Sequence, residues 1–158
     1  MLVQAVVGTR GSQLALVQTE EVLTRLRLLA NPISTKVVEI KSTGDALPDA
    51  PLAKLGKGIF IKELEIALLQ GKIDMAVHSL KDLPVELAEG LSIVVVCQRQ
   101  DPRDVLVNKA NCPLAEMEPG AIIGTSSPRR LAQLRALRDD LRVEPIRGNV
   151  ETRLNKAL

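Results

Sequence analysis

Apolar and polar positions follow two rhythms along the chain. A short apolar run over residues 2–7 ends at Gly8-Thr9-Arg10-Gly11-Ser12, which reads as a turn. Ala15, Leu16, Thr19, Val22, Leu23, Leu26 and Leu29 then recur at helical spacing, and Asn31-Pro32 ends that helix. Residues 36–41 predict a second strand and residues 42–58 a long polar loop. A second helix is predicted from about Phe60 to Gln70, with Gly71 just past its end. Residues 74–78 predict a third strand. Residues 91–97 predict a fourth, apolar almost throughout and so expected to be covered on both faces. Strands that alternate with helices imply right-handed crossovers and a largely parallel sheet, hence an α/β fold.

Gln98-Arg99-Gln100-Asp101-Pro102-Arg103-Asp104 breaks the pattern with polar residues and a proline. A second series follows: strand 105–107, a loop to Gly120, strand 121–124, a helix over about 128–138, strand 141–146, and a helix from about Val150. The expected organisation is a first α/β lobe over 1–99, a hinge over 100–104, and the first part of a second lobe over 105–158. No predicted strand follows the last helix, so the second lobe is expected to be incomplete.

Composition removes several functions. Phe60 is the one aromatic residue among 158, with no Trp or Tyr, so base-stacking platforms for single-stranded nucleic acid are missing. The net charge of +2 does not point to a polyanion partner, and no apolar run reaches the length of a membrane span. The first residues show no leader pattern. With one histidine, His78, and no Cys-x-x-Cys, an ordinary zinc or iron site is not expected. Cys97 closes the run Val94-Val95-Val96 and is expected to be buried, whereas Cys112 lies in a polar loop. Two such cysteines suit a reducing, cytoplasmic compartment.

Charge changes the picture once it is divided by region. Residues 1–100 carry 11 basic and 11 acidic side chains, whereas residues 124–158 carry eight basic against four acidic. The polar side chains gather in the loops that follow the predicted strands, where open α/β sheets bind ligands. These loops are Thr9–Ser12, Ser42-Thr43-Gly44-Asp45, His78-Ser79-Leu80-Lys81-Asp82, Thr125-Ser126-Ser127-Pro128-Arg129-Arg130 and Arg147-Gly148-Asn149. Ser12, Ser127 and Asn149 are natural helix N-caps, and Pro128 suits a first helical position. An arginine accompanies each of these helix starts. Exposed N–H groups and guanidinium forks both favour anions, so the expected ligand is a small molecule with several negative charges. Arg129 and Arg130 are read as binders, and Arg135, Arg138 and Arg142 as solvated helix surface. Asp82 is unusual in such company: either it answers a positive charge on the ligand, or it forms a surface pair with Lys81. His78 is read as a packing or hydrogen-bonding residue.

Taken together, these stretches resemble the porphobilinogen deaminase family. The resemblance rests on Gly8-Thr9-Arg10-Gly11-Ser12-Gln13-Leu14-Ala15-Leu16, Pro51-Leu52-Ala53-Lys54, Lys62-Glu63-Leu64-Glu65 and Ala76-Val77-His78-Ser79-Leu80-Lys81-Asp82-Leu83-Pro84. It continues through Asp101-Pro102-Arg103-Asp104, Gly124-Thr125-Ser126-Ser127-Pro128-Arg129-Arg130 and Arg147-Gly148-Asn149-Val150-Glu151-Thr152-Arg153-Leu154, in the family's order and over essentially the whole chain.

The resemblance implies three α/β domains, the first two like the lobes of periplasmic binding proteins, in an enzyme of tetrapyrrole biosynthesis that is usually monomeric. Such enzymes join four porphobilinogen molecules head to tail, release ammonia each time, and free the product as hydroxymethylbilane. Growth occurs on a dipyrromethane cofactor carried by a cysteine of the third domain. That domain is expected to be absent from this chain, and neither Cys97 nor Cys112 matches the cysteine.

Asp82 matches the family's catalytic aspartate and Lys81 stands beside it. By the same matching Arg10, Lys81, Arg129, Arg130, Arg147 and Arg153 hold carboxylates. Ser12, Ser79, Thr125, Ser126, Ser127, Gly148 and Asn149 supply further contacts. Lys54, Lys57 and Phe60 belong to or flank the active-site loop. The chain departs from the family by one residue fewer around Leu55-Gly56-Lys57-Gly58 and by Pro128 where leucine is common. The 158 residues alone are expected to be inactive, with a separate C-terminal segment as a conceivable partner and neither nucleic acid nor membrane involved. A non-catalytic binding module of the periplasmic-binding type for a polycarboxylate is the alternative reading.

Overall fold

The computed structural model describes residues 4–29, 33–42 and 61–158. The expected turn at Asn31-Pro32, the loop over 43–58, and the loop residues Lys54, Lys57 and Phe60 lie outside the described residues. The chain divides into two compact units, Met1–Arg99 and Gln100–Leu158.

The first unit is built on strand β1 (Gln4–Thr9), which lies between β2 (Ser34–Glu39) and β3 (Met75–Ala76) in a three-stranded parallel sheet. β1 runs in register with β2 from Gln4 opposite Ser34 to Thr9 opposite Glu39, and with β3 through Val7–Met75 and Gly8–Ala76. The ladder continues beyond the strands: Ile40 N donates to Thr9 O at 2.8 Å, and Val77 N to Gly8 O at 3.2 Å. Asp74 closes the lower end, its N–H bonded to Val6 O and its carboxylate accepting Val6 N–H at 2.7 Å. The central position of β1 explains why Val7 is wholly buried.

Helix α1 (Gln13–Arg27) starts at Ser12, whose hydroxyl accepts Ala15 N–H at 3.4 Å, as the N-cap pattern predicts. Leu23 is buried from this helix. Helix α2 (Lys62–Leu69) buries Leu64 and Ala67, which pack with Ile73 against Val6, Val38, Ile40, Leu68 and Ala76. Gly71 ends this turn with φ of +64°, a conformation costly for any residue with a Cβ. Gly8 is needed for space instead: a Cβ there would lie 2.4 Å from Ile73 Cδ1 and 2.9 Å from Leu64 Cδ2.

The second unit pairs β4 (Ile122–Gly124) with β5 (Arg142–Glu144), again in parallel, with Ile123 opposite Val143. Helix α3 (Pro128–Leu137) follows β4, and α4 (Val150–Ala157) follows β5. Ser127 caps α3 by accepting Arg130 N–H at 3.4 Å, with Pro128 in its first turn. Asn149 caps α4 by accepting Thr152 N–H at 2.9 Å. Every strand pairing among the described residues is parallel, and the fold is α/β.

Two expected strands are absent. Residues 91–97 and 105–107 carry neither strand nor helix, and Val94 and Val105 are 87% and 84% exposed. Cys97, expected to be buried, is exposed. An apolar run records a need for neighbours, and a strand forms only when another backbone takes up its N–H and C=O groups. No described strand pairs with either run.

Candidate functional site

In the first unit, the parallel order sends the loops after β1 and β3 to the same C-terminal edge of the sheet. Arg10 and Ser12 follow β1, and His78, Ser79, Lys81 and Asp82 follow β3, the last two within the 3-10 turn Leu80–Asp82. The turn is closed by Asp82 N–H on Ser79 O at 2.9 Å and Leu83 N–H on Leu80 O at 3.2 Å. Lys81 is exposed, while Asp82, His78 and Arg10 are half-buried. His78 feels both charges. Burial is the largest influence and pushes its pKa below 6.5; the Asp82 carboxylate pulls it up and the Arg10 guanidinium pushes it down. His78 is therefore neutral near pH 7, and the local balance is one carboxylate against one guanidinium, with Lys81 beside them.

The end of β1 is fixed from beneath by hydroxyl groups. Thr9 and Thr19 are both buried, and Thr19 Oγ1 bonds to Thr9 Oγ1 and to Ala15 O, each at 2.8 Å. On the same helix, Gln18 Oε1 accepts the hydroxyl of Ser79 at 2.8 Å. Neither Gln18 nor Thr19 stood out in the sequence. Thr19 reads as one more position of the apolar stripe, and Gln18 as a polar residue of a helix surface.

In the second unit, Thr125, Ser126, Ser127, Arg129 and Arg130 follow β4, and Arg147, Gly148, Asn149 and Arg153 follow β5. Thr125 N–H extends the ladder to Glu144 O at 2.8 Å, and its hydroxyl accepts Ser127 N–H at 3.2 Å. Ser126 donates to Ile146 O at 2.8 Å, tying the two strand-end loops together. Gly148 adopts φ of +112°, and a Cβ there would come within 2.6 Å of Thr152. Thr152 Oγ1 also donates to Asn149 Oδ1 at 2.8 Å, so the capping loop is closely fitted. Arg153 Nε reaches Asn149 O at 3.3 Å and Lys156 Nζ reaches Arg147 O at 3.4 Å.

Arg130 and Arg129 differ. Arg130 holds Asp104 with a two-point fork, Nε to Oδ2 at 2.8 Å and Nη2 to Oδ1 at 2.6 Å. The fork keeps the Asp104 carboxyl below the usual carboxylate range, with a smaller contribution from the charge of Arg129. Arg129 is exposed, and its guanidinium has no partner among the described residues beyond its charge acting on Asp104. The loop over 101–104 contains a second pair, Arg103 with Asp101.

Arg138 corrects the expectation of a solvated arginine. Its guanidinium donates to the carbonyls of Leu114, Ala115 and Met117 at 2.9, 3.2 and 2.9 Å, and pairs with Asp140 at 2.7 Å. It thus secures the Leu114–Glu116 turn to the end of α3. The loop over 108–112 is closed by Asn108, which donates to Cys112 O at 2.8 Å and accepts Cys112 N–H at 3.2 Å.

The loops therefore present guanidinium groups, hydroxyls and helix starts, with one half-buried carboxylate, Asp82, in the first unit's cluster. Among the described residues no group of His, Cys, Asp and Glu side chains is arranged to hold a metal ion. No helix among them is long and apolar enough to cross a membrane.

Residues 5–158 match the family model described as porphobilinogen deaminase, dipyromethane cofactor binding domain. The chain is 54% identical over 152 residues to a porphobilinogen deaminase of Geobacillus kaustophilus, covering 96% of this chain and 49% of that protein. It is 54% identical over 151 residues to one of Pelotomaculum thermopropionicum, covering 95% and 48%. A probable porphobilinogen deaminase of Pyrobaculum islandicum is 48% identical over 153 residues, covering 96% and 51%. The chain spans about half the length of these curated relatives. A match over nearly all of its residues establishes that this chain belongs to the porphobilinogen deaminase family.

Proposed function

We propose that this chain is the substrate-handling part of a porphobilinogen deaminase, a cytoplasmic transferase that condenses four porphobilinogen molecules into hydroxymethylbilane and releases ammonia at each addition. Each unit would then correspond to one lobe of a periplasmic-binding-type pair. The observation that carries this reading is the convergence of Arg10, His78 and Asp82 at one end of the first sheet. A module that only captured an anion would gain nothing from a carboxylate there, because like charges repel.

Asp82 is assigned the catalytic role. Its carboxylate would accept pyrrole N–H groups and stabilise the positive charge left on porphobilinogen as ammonia departs. The neutral state of His78 matters here, since an imidazolium would cancel part of that field. Arg10 and Lys81 would hold the acetate and propionate groups of the pyrroles, with Ser12 and Ser79 contributing polar contacts.

The residues also fit the dipyrromethane group. In support of this, Arg130 already holds the carboxylate of Asp104 in two-point geometry. Arg129, Arg130, Arg147 and Arg153 would hold the carboxylates of the group, assisted by Thr125, Ser126, Ser127, Gly148 and Asn149. When bound, that group supplies the pyrrole carbon on which the chain is extended; its cysteine is neither Cys97 nor Cys112. Arg130 would exchange or share Asp104 when a ligand carboxylate arrives. Lys54, Lys57 and Phe60 are assigned to the loop over the site. The complete protein is expected to act as a monomer, without nucleic acid or membrane.

The test joins this chain to the part of the Geobacillus kaustophilus protein that it does not match, and follows porphobilinogen consumption. The fusion should turn over porphobilinogen, and the 158 residues alone should not. A cooperatively folded fusion that binds porphobilinogen without consuming it would favour the non-catalytic module. Turnover by the 158 residues alone would overturn the division of labour.

A further inference from the structure

A serine at the head of a helical turn ordinarily turns its hydroxyl onto the turn's own amides. Ser79 heads the turn Leu80–Asp82 but makes no such bond; its hydroxyl donates to Gln18 Oε1, 61 residues away in sequence. The next residue on α1, Thr19, is buried and bonded to Thr9, immediately before Arg10. Two consecutive residues of one helix therefore hold two different loops. Thr19 holds the end of β1 that carries Arg10, and Gln18 holds the turn that carries Lys81 and Asp82. A helix is stiff over a single residue step, so the separation of the two loops is set by α1.

We propose that Gln18 is a positioning residue: by taking the hydroxyl of Ser79 it fixes the Lys81-Asp82 turn relative to Arg10. The geometric part stands on the hydrogen bonds alone; its consequence for turnover rests on the function proposed above. A loosened turn misplaces the Asp82 carboxylate relative to the charge that it must meet, which costs more in the transition state than in the bound ground state. The loss is therefore expected in kcat rather than KM.

Three substitutions test this. Gln18→Met keeps length and removes the acceptor, Gln18→Glu keeps an acceptor, and Ser79→Ala removes the donor. In the 158-residue chain, amide exchange at Asp82 and Leu83 should rise about tenfold in Gln18→Met and in Ser79→Ala, the loss of one hydrogen bond. The double variant should be no faster than either, and Gln18→Glu should exchange like the parent above pH 6. The amide of Leu23, in the buried part of α1, should not change. Unchanged exchange at Asp82 and Leu83 in Gln18→Met would overturn the proposal, as would a rise shared equally by Leu23.

In the turnover-competent fusion, Gln18→Met should lower kcat about tenfold and leave KM within about twofold. An unchanged kcat, in a protein that Asp82→Asn inactivates, would overturn the functional half alone. If Asp82→Asn keeps full turnover, the function proposed above fails, while the exchange result still decides the geometry.

Discussion

At the level of single residues, side chains that look ordinary in the sequence hold the loops in place. Replacing Thr19 by Val removes a hydroxyl from the buried pair with Thr9, and should lower stability by about 1–3 kcal/mol in urea titration. Gly148 has φ of +112° with Thr152 against it, so Gly148→Ala should cost about 1–3 kcal/mol locally, read as faster amide exchange in α4. Arg138→Gln should lower Tm more than Arg135→Gln, because only Arg138 holds three carbonyls and a carboxylate.

His78 gives a pH dependence of known sign. Its pKa is lower in the folded chain than the unfolded value of 6.5, so the unfolded chain binds the extra proton first. Its contribution is complete above pH 6.5 and is lost as pH falls toward the folded pKa. Asp82 and Arg10, which act on His78 in opposite directions, do not reverse that sign. Stability of His78→Gln should therefore fall less than that of the parent between pH 6.5 and 5, measured by thermal melts across that range.

At the level of elements, the helix starts were legible because each depends on local chemistry. Ser12, Ser127 and Asn149 are caps in the structure, and Gly71 takes the left-handed conformation past α2. Strands β1, β2, β4 and β5 overlap their expected positions, and β3 is shorter than expected, spanning Met75–Ala76. Residues 91–97 were misread because their apolar character is a property of the run, whereas pairing is a property of its neighbours. The polar strand-end loops were legible as helix-opening loops for the same local reasons as the caps. Gln18 was not, because its partner Ser79 is distant in sequence and nothing near Gln18 on α1 points to it.

For the whole molecule, two compact units each present polar loops from the C-terminal ends of parallel strands. Family membership follows from the match over residues 5–158. The function proposed for it depends on one acid, Asp82, set near Arg10 and the neutral His78. The decisive measurement is steady-state turnover of porphobilinogen by the Asp82→Asn fusion, with binding followed separately. The substitution removes the negative charge and keeps the size. The account predicts a fall in kcat of roughly two to four orders of magnitude with binding retained. A kcat within about tenfold of the parent would contradict it.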